Sequence, residues 1–143
     1  MAEFQTDGLT EFIRQLEQDD LFNDEVAGEM LFSMADEMVD SVQKKMRSTR
    51  YDMARLSKKV GYTKKIKNEK NGGKSVTVSV KGKNARGERN ATVVFVLNYG
   101  RREEYGRLAP MHFWDSATQE TIDKAQEIAE NAATEYYKSK GLI

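Results

Sequence analysis

The chain has 143 residues, a length that fits one domain with a single hydrophobic core. It contains no cysteine, which excludes disulfides, zinc-thiolate sites and thiol nucleophiles. The formal net charge is zero, yet residues 1–40 carry 12 acidic and one basic residue, whereas residues 41–90 carry 16 basic and three acidic ones. This asymmetry favours either a nucleic-acid surface or head-to-tail contact between identical subunits.

We expect one domain, residues 1–143, with an acidic helical part (1–48), a basic hairpin region (58–90) and a strand-loop-helix part (91–143). The longest uninterrupted apolar run, Val93 to Leu97, is far shorter than a membrane span. The amino terminus lacks the basic start and apolar core of a signal peptide. These features predict a soluble, unsecreted protein without membrane contact.

Two helices are predicted in the acidic part. Asp7 is a candidate cap for a short helix at 9–18, and Asn23 is a candidate cap for a longer helix that reaches about Arg47. Apolar residues recur every four positions along the longer helix, at Val26, Met30, Met34, Met38, Val42 and Met46. The stripe is typical of a core helix, although methionines can also line an adaptable binding groove.

An alternating pattern follows in the basic part. Valines at 76, 78 and 80 alternate with polar residues and predict a half-buried strand, with a weaker partner at 62–67 and a turn at Asn71-Gly72-Gly73. After the loop 82–90, the apolar run 91–99 predicts a third and most buried strand. Three strands joined by short loops favour an antiparallel meander.

A long final helix is predicted from Asp115 or Ser116 to Lys140. Ser116 and Gln119 have the spacing of a capping box, and Gly141 suits the helix end. The predicted inward positions are Ile122, Ala125, Ile128, Ala129, Ala132 and Tyr136. The expected fold class is therefore α+β: a small antiparallel sheet of three to four strands packed against two long helices, plus a short N-terminal helix.

Few residues here have the pattern of an active site. His112 is the only histidine, so no histidine pair is available for a metal, and its position beside Phe113 and Trp114 is more typical of a packed or interface residue. Adjacent carboxylates do occur, but neighbours along a chain need not point into one site. We therefore expect no enzymatic activity, no metal and no cofactor.

Basic residues cluster on and around the predicted hairpin, where several could neutralise phosphates together and bind DNA nonspecifically. The same surface could instead meet the acidic first forty residues of a neighbouring subunit, or simply face water. The residues of this basic hairpin are Lys64, Lys65, Lys67, Lys70, Lys74, Lys81, Lys83, Arg86 and Arg89.

The segment 97–114 carries a family resemblance. Leu97-Asn98-Tyr99-Gly100 is followed by a charged loop and then by Ala109-Pro110-Met111-His112-Phe113-Trp114. This arrangement resembles the signature of phage tail-completion proteins, also called head-tail joining proteins. In that family a strand ending in an aromatic or acidic residue plus glycine precedes a proline-phenylalanine segment that opens the last helix. The order of elements along the chain is similar too.

The resemblance implies a noncatalytic virion component that forms a ring of identical subunits, by resemblance a hexamer, at the head-tail junction. Its partners would be the connector or stopper on one side and the tail terminator or tail tube on the other, and it would assemble in the host cytoplasm. The alternative is a DNA-binding accessory protein that uses the lysine-rich hairpin. Phe113 is expected to pack, and Trp114 either to pack or to contact a partner. The candidate interface residues are Tyr99, Gly100, Arg101, Arg102, Glu103, Glu104, Arg107, Pro110, Phe113 and Trp114.

Overall fold

A computed structural model of the chain describes residues 2–5, 10–18, 23–49, 51–68, 70 and 73–141. The fold is α+β, as predicted, with a small antiparallel sheet. Besides the elements named next, a short 3₁₀ helix spans Glu103–Tyr105. The elements in chain order are β1 (Ala2–Gln5), α1 (Thr10–Gln18), α2 (Asp24–Arg47), α3 (Ala54–Ser57), β2 (Val60–Tyr62), β3 (Lys67–Asn68), β4 (Lys74–Val80), α4 (Asn90–Tyr99), α5 (Phe113–Asp123) and α6 (Ala125–Ser139).

Helix α2 is the central element of the core. The Asn23 side chain accepts a hydrogen bond from the Val26 N–H at 3.0 Å, which confirms the predicted cap. All six apolar residues of the four-residue repeat are buried, and the helix contacts α5, α6 and strands β2 and β4. The methionine stripe therefore fills the core and does not line an open groove. The predicted cap of α1, Asp7, lies outside the described residues.

The sheet is organised around β4 and not as a meander. Strand β4 pairs with β1 along one edge and with both β2 and β3 along the other, all antiparallel. The valines at 76, 78 and 80 are buried and Thr77 is exposed, as predicted, but the alternation fails at Ser75, which is also buried. The weaker partner predicted at 62–67 is two short strands, and the described part of the predicted turn is limited to Gly73.

The predicted third strand, residues 91–99, is wrong: this segment is helix α4. A short apolar run of β-branched and aromatic residues does not distinguish a strand from a helix by its period. The residues that α4 buries completely are Asn90, Val94 and Asn98, which are four positions apart and lie on one helical face. Tertiary contacts through this face determine the helix, as described below.

The predicted final helix is divided in two and begins earlier than expected. Helix α5 starts at Phe113, so Ser116 lies inside it and the predicted capping box is wrong. A break at Lys124 separates α5 from α6. Of the predicted inward positions, Ile122 is wrong, since it is 52% exposed while its neighbour Thr121 is buried. Ala129 is buried as predicted, and the remaining four are partly buried: Ala125, Ile128, Ala132 and Tyr136. Gly141 has φ +72, which confirms its place at the end of the helix. Among the described residues, no helix combines the length and apolar character that crossing a membrane requires.

Candidate functional site

The segment 100–112, here the 100–112 loop, leaves the end of α4 and returns to the same place. The N–H groups of Gly100, Met111 and His112 donate to the carbonyls of Val96, Leu97 and Asn98 at 2.8, 3.2 and 3.0 Å. These carbonyls belong to the last turn of α4, where no intrahelical donor remains. The loop therefore caps the helix from which it emerges, and both of its ends are fixed.

Gly100 is needed at the first turn of this loop. It has φ +79 and ψ −174, a backbone region that is almost exclusive to glycine. A Cβ atom here would overlap the carbonyl oxygen of Leu108 and lie 2.9 Å from the nitrogen of Pro110. That Leu108 oxygen accepts a hydrogen bond from Arg101 N–H at 2.9 Å, and Leu108 N–H donates back to Arg101 at 3.2 Å. The glycine thus permits the close approach that closes the base of the loop.

Asn98 joins α4 to α5 and was not singled out from the sequence. Its side-chain oxygen accepts a hydrogen bond from the backbone N–H of Trp114 at 2.9 Å, in a fully buried position. Trp114 is the second residue of α5, so Asn98 caps that helix as a local N-cap residue would. Its amide nitrogen lies 3.3 Å from Asp115, whose other oxygen lies 2.9 Å from His112 Nδ1. The sequence signal was the asparagine on the buried face of an otherwise apolar segment.

Phe113 and Trp114 support the loop from inside the protein. They are 4% and 2% exposed, so the expected packing of Phe113 is confirmed, and Trp114 packs as well. The Trp114 ring meets Phe95 of α4 edge to face, with the ring centroids 4.9 Å apart. Trp114 is therefore not an exposed side chain that a partner could contact in this conformation.

The exposed side of the loop is charged. The side chains at 101, 102, 103, 104 and 107 are all exposed, and Pro110 is exposed beside them. Arg107 lies 3.7 Å from Glu103, a surface ion pair that contributes little to stability. Tyr99 is 57% exposed and stacks on Phe95 at 6.0 Å. Basic, acidic and aromatic groups thus form one accessible surface on a fixed loop.

Helix α4 is apolar around most of its circumference, and outside its buried face it is incompletely covered. Apart from Val94, its apolar residues are only partly buried, and they are Ala91, Val93, Phe95, Val96 and Leu97. A helix that is hydrophobic all round is normally buried. Together with Tyr99 and the 100–112 loop, the accessible parts of these residues have the composition of a surface that another protein covers.

The nine residues of the basic hairpin do not form one surface. Five of them lie at the β3–β4 end of the sheet: Lys64, Lys65, Lys67, Lys70 and Lys74. The other four lie beyond the opposite end of β4: Lys81, Lys83, Arg86 and Arg89. Strand β4 has seven residues, which corresponds to about 20 Å. Lys74 is also engaged within the chain, 3.1 Å from Asp24 and 2.8 Å from Asn68.

Three of the four residues beyond β4, Lys83, Arg86 and Arg89, belong to a compact loop at 82–89, here the 82–89 loop. Asn84 Oδ1 accepts hydrogen bonds from the backbone N–H groups of Arg86 and Glu88 at 2.9 and 3.0 Å. Asn90, which is fully buried, donates to the Lys81 carbonyl at 2.9 Å and lies 3.4 Å from the Arg55 guanidinium. An asparagine at each end of α4 thus fixes one loop.

A groove of about 590 Å³ lies against the 82–89 loop. Four cationic side chains line it, and Glu88 is the one acidic residue among its lining residues. The cations are Arg55, Lys59, Lys83 and Arg86, here the basic loop surface. Lys59 lies within the predicted basic hairpin region, whereas Arg55 comes from α3, so the sequence pattern did not indicate the part of Arg55 in this surface.

Within the part of the chain that the structure describes, no three His, Asp or Glu side chains converge where a metal ion could be held. Comparisons of the chain with protein-family models, with curated proteins and with solved structures found no match.

Proposed function

We propose that this chain is a noncatalytic structural protein of a tailed bacteriophage, a tail-completion or head-tail joining component that assembles as a ring between the connector and the tail. The family resemblance at 97–114 supplies the biological part of this proposal. The geometry supports it independently as a protein-docking element, because the segment presents an accessible, rigidly held surface.

The observation that carries the proposal is the fixation of the 100–112 loop at both ends. Its first residue, Gly100, is committed to a conformation reserved for glycine, and its last residues donate hydrogen bonds to the end of α4. A loop that is ordered before binding loses little conformational entropy when a partner docks. A docking role explains why the exposed charged residues at 101–104 belong to a loop that the buried rings of Phe113 and Trp114 support.

The loop chemistry suits a protein partner. Arg101 and Arg102 next to Glu103 and Glu104 give opposite charges in adjacent positions, which favours selection and alignment of one partner over uniform attraction to a polyanion. The partly covered apolar face of α4 continues this surface. We assign the connector or stopper, or the tail terminator or tube, as the protein that contacts it at the head-tail junction.

Deletion of the gene in the phage that carries it tests this proposal. Without the chain, filled heads and tails should accumulate unjoined in electron micrographs, and plaque-forming units should fall; wild-type protein supplied in trans should restore both. The variant Arg101→Glu/Arg102→Glu should fail to restore joining. Lys64→Glu/Lys65→Glu makes the same charge change at another exposed site and should restore it. Joined, infectious particles from the deletion strain would refute the proposal.

A DNA-binding accessory protein is the second candidate, and the basic loop surface favours it. Four cations around one groove could neutralise neighbouring phosphates. Duplex DNA binding should then weaken steeply with salt and fall in Lys83→Glu/Arg86→Glu. Binding that is undetectable at low salt would exclude this candidate.

A further inference from the structure

A second groove, of about 990 Å³, lies between α2 and α6, far from the 82–89 loop. Its floor is apolar or aromatic, with Phe32, Ile66, Ile128, Ala132 and Tyr136 among its lining residues. Its lining residues include four carboxylates, on Asp24, Glu25, Glu29 and Glu135, and one lysine, Lys140. Asp24 is paired with Lys74, and Glu25 accepts a hydrogen bond from Tyr136, so Glu29 and Glu135 give the rim most of its anionic character. An apolar floor with an anionic rim fits long cationic side chains, whose aliphatic stems can cover apolar surface while their charged ends meet carboxylates.

The basic loop surface has the complementary character. Arginine is especially suited to such a groove, because its planar guanidinium stacks on aromatic rings and binds carboxylates in a bidentate manner. Arg86 and Lys83 are exposed on the 82–89 loop, which its internal hydrogen bonds hold in one conformation. The loop is therefore an ordered, cationic projection.

The two surfaces lie near opposite ends of α2. The groove lies at the first turns of α2, because Gly28 and Ile66 both line it, and a Cβ on Gly28 would lie 3.0 Å from Ile66. The basic loop surface is at the last turns, since Gln43 donates to the Ser57 carbonyl of α3 at 3.0 Å. Residues 28 and 43 are about 22 Å apart at the helical rise per residue. One chain therefore cannot bring its own loop into its own groove.

We infer that the α2–α6 groove binds the 82–89 loop of a second copy of this chain. A nucleic acid would satisfy the basic loop surface alone, whereas a second copy satisfies the basic surface and the anionic groove together. Because the two complementary surfaces are different patches of one molecule, the contact is heterologous and generates a closed ring when the rotation between copies closes. This inference rests on the proposed ring and assigns its interface.

Charge exchange between copies tests the inference. In the first variant, Glu29→Lys/Glu135→Lys, the rim becomes cationic; in the second, Lys83→Glu/Arg86→Glu, the loop becomes anionic. All four side chains are exposed, so folding should be retained, and circular dichroism checks this. Each variant alone opposes like charges, and we expect its self-association, measured by sedimentation, to weaken roughly tenfold or more.

An equimolar mixture of the two variants should associate again. The cationic rim of the first variant then faces the anionic loop of the second, and the unchanged loop and rim form the other contact. The control Arg101→Glu/Arg102→Glu makes a charge change of the same size outside both surfaces and should associate like the wild type. Mixtures that remain as weak as the separate variants, or a wild-type chain that is monomeric at millimolar concentration, would overturn the inference.

Three further outcomes separate this inference from its alternatives. If only the loop variant loses association, and only when DNA is present, the basic loop surface binds nucleic acid and the inference is wrong. If the wild-type chain joins heads to tails while both charge variants do so equally well, the proposed function stands and the interface lies elsewhere. If the mixture recovers its association but particles join without the chain, the interface stands and the proposed function fails.

Discussion

Replacing Gly100 by alanine measures how firmly the 100–112 loop is held. Gly100 has φ +79 and ψ −174, and a non-glycine residue in this region costs about 1–3 kcal/mol. The new Cβ would also overlap the carbonyl oxygen of Leu108, which accepts the hydrogen bond from Arg101. Relief of that overlap requires the two sides of the loop base to separate.

Separation breaks both hydrogen bonds between Arg101 and Leu108, each worth about 0.5–1.5 kcal/mol. We therefore expect Gly100→Ala to lower the free energy of unfolding by about 2–6 kcal/mol. Gly106→Ala is the matched control, since Gly106 has φ +83 but no atom lies within 4 Å of its Cβ position. It should cost only the conformational part, about 1–3 kcal/mol.

Guanidinium denaturation and thermal melting, both followed by far-ultraviolet circular dichroism, measure the difference between the two variants. For a chain of this size each kcal/mol corresponds to roughly 2–4 °C, so the melting temperatures should differ by about 2–12 °C, with Gly100→Ala the lower. Equal melting temperatures would refute the reasoning, because they would mean that the loop base can open without loss of stability.

Three other predictions concern buried or hydrogen-bonded groups. Asn98→Ala leaves the Trp114 N–H buried without its acceptor and should lower the free energy of unfolding, measured by chemical denaturation, by about 1–3 kcal/mol. The exposed control Asn131→Ala should change it by no more than about 0.5 kcal/mol. Equal losses in the two variants would contradict the capping role of Asn98. The single tryptophan, 2% exposed, should emit at short wavelength and resist iodide quenching, whereas the emission of a solvated indole would contradict its burial. Burial, followed by the hydrogen bond to Asp36, raises the pKa of Tyr62 above its ordinary value of 10.0, so the stability that the neutral side chain contributes is complete below pH 10.0 and is lost as the pH rises further. Tyr62→Phe should therefore lose less stability than the wild type in alkaline denaturation. Parallel curves of stability against pH for the two proteins would contradict this.

The sequence predicts best those elements that short-range patterns determine. The Asn23 cap and the four-residue repeat of α2 are both local, and the structure confirms both. The alternation of β4 is equally local, and its three valines are buried as predicted. These patterns work because the period of burial follows directly from helix and strand geometry.

The errors arise where a distant residue determines the local structure. Helix α5 begins at Phe113 because Asn98, 16 positions before Trp114, caps it, and a capping box sought within the helix sequence cannot reveal that bond. The second edge of β4 is covered by β1, which lies about 70 residues earlier in the chain. No short turn joins the two strands, so the sequence carries no turn signal for this pairing. The basic loop surface likewise includes Arg55, which Asn90 brings to the 82–89 loop.

Helix α4 connects the two candidate surfaces of this chain. Asn90 fixes the 82–89 loop at its first residue, and Asn98 fixes the return of the 100–112 loop near its last. Asn90 and Asn98 are eight positions apart, which is about 12 Å along a helix, so the distance between the two attachments is set by a rigid element. In a ring, a loop that contacts the neighbouring subunit would thus stand at a constant distance from the loop that contacts the head or tail. Misreading α4 as a strand hides this relation, because eight residues of extended chain would place the two asparagines on the same sheet face but about 26 Å apart.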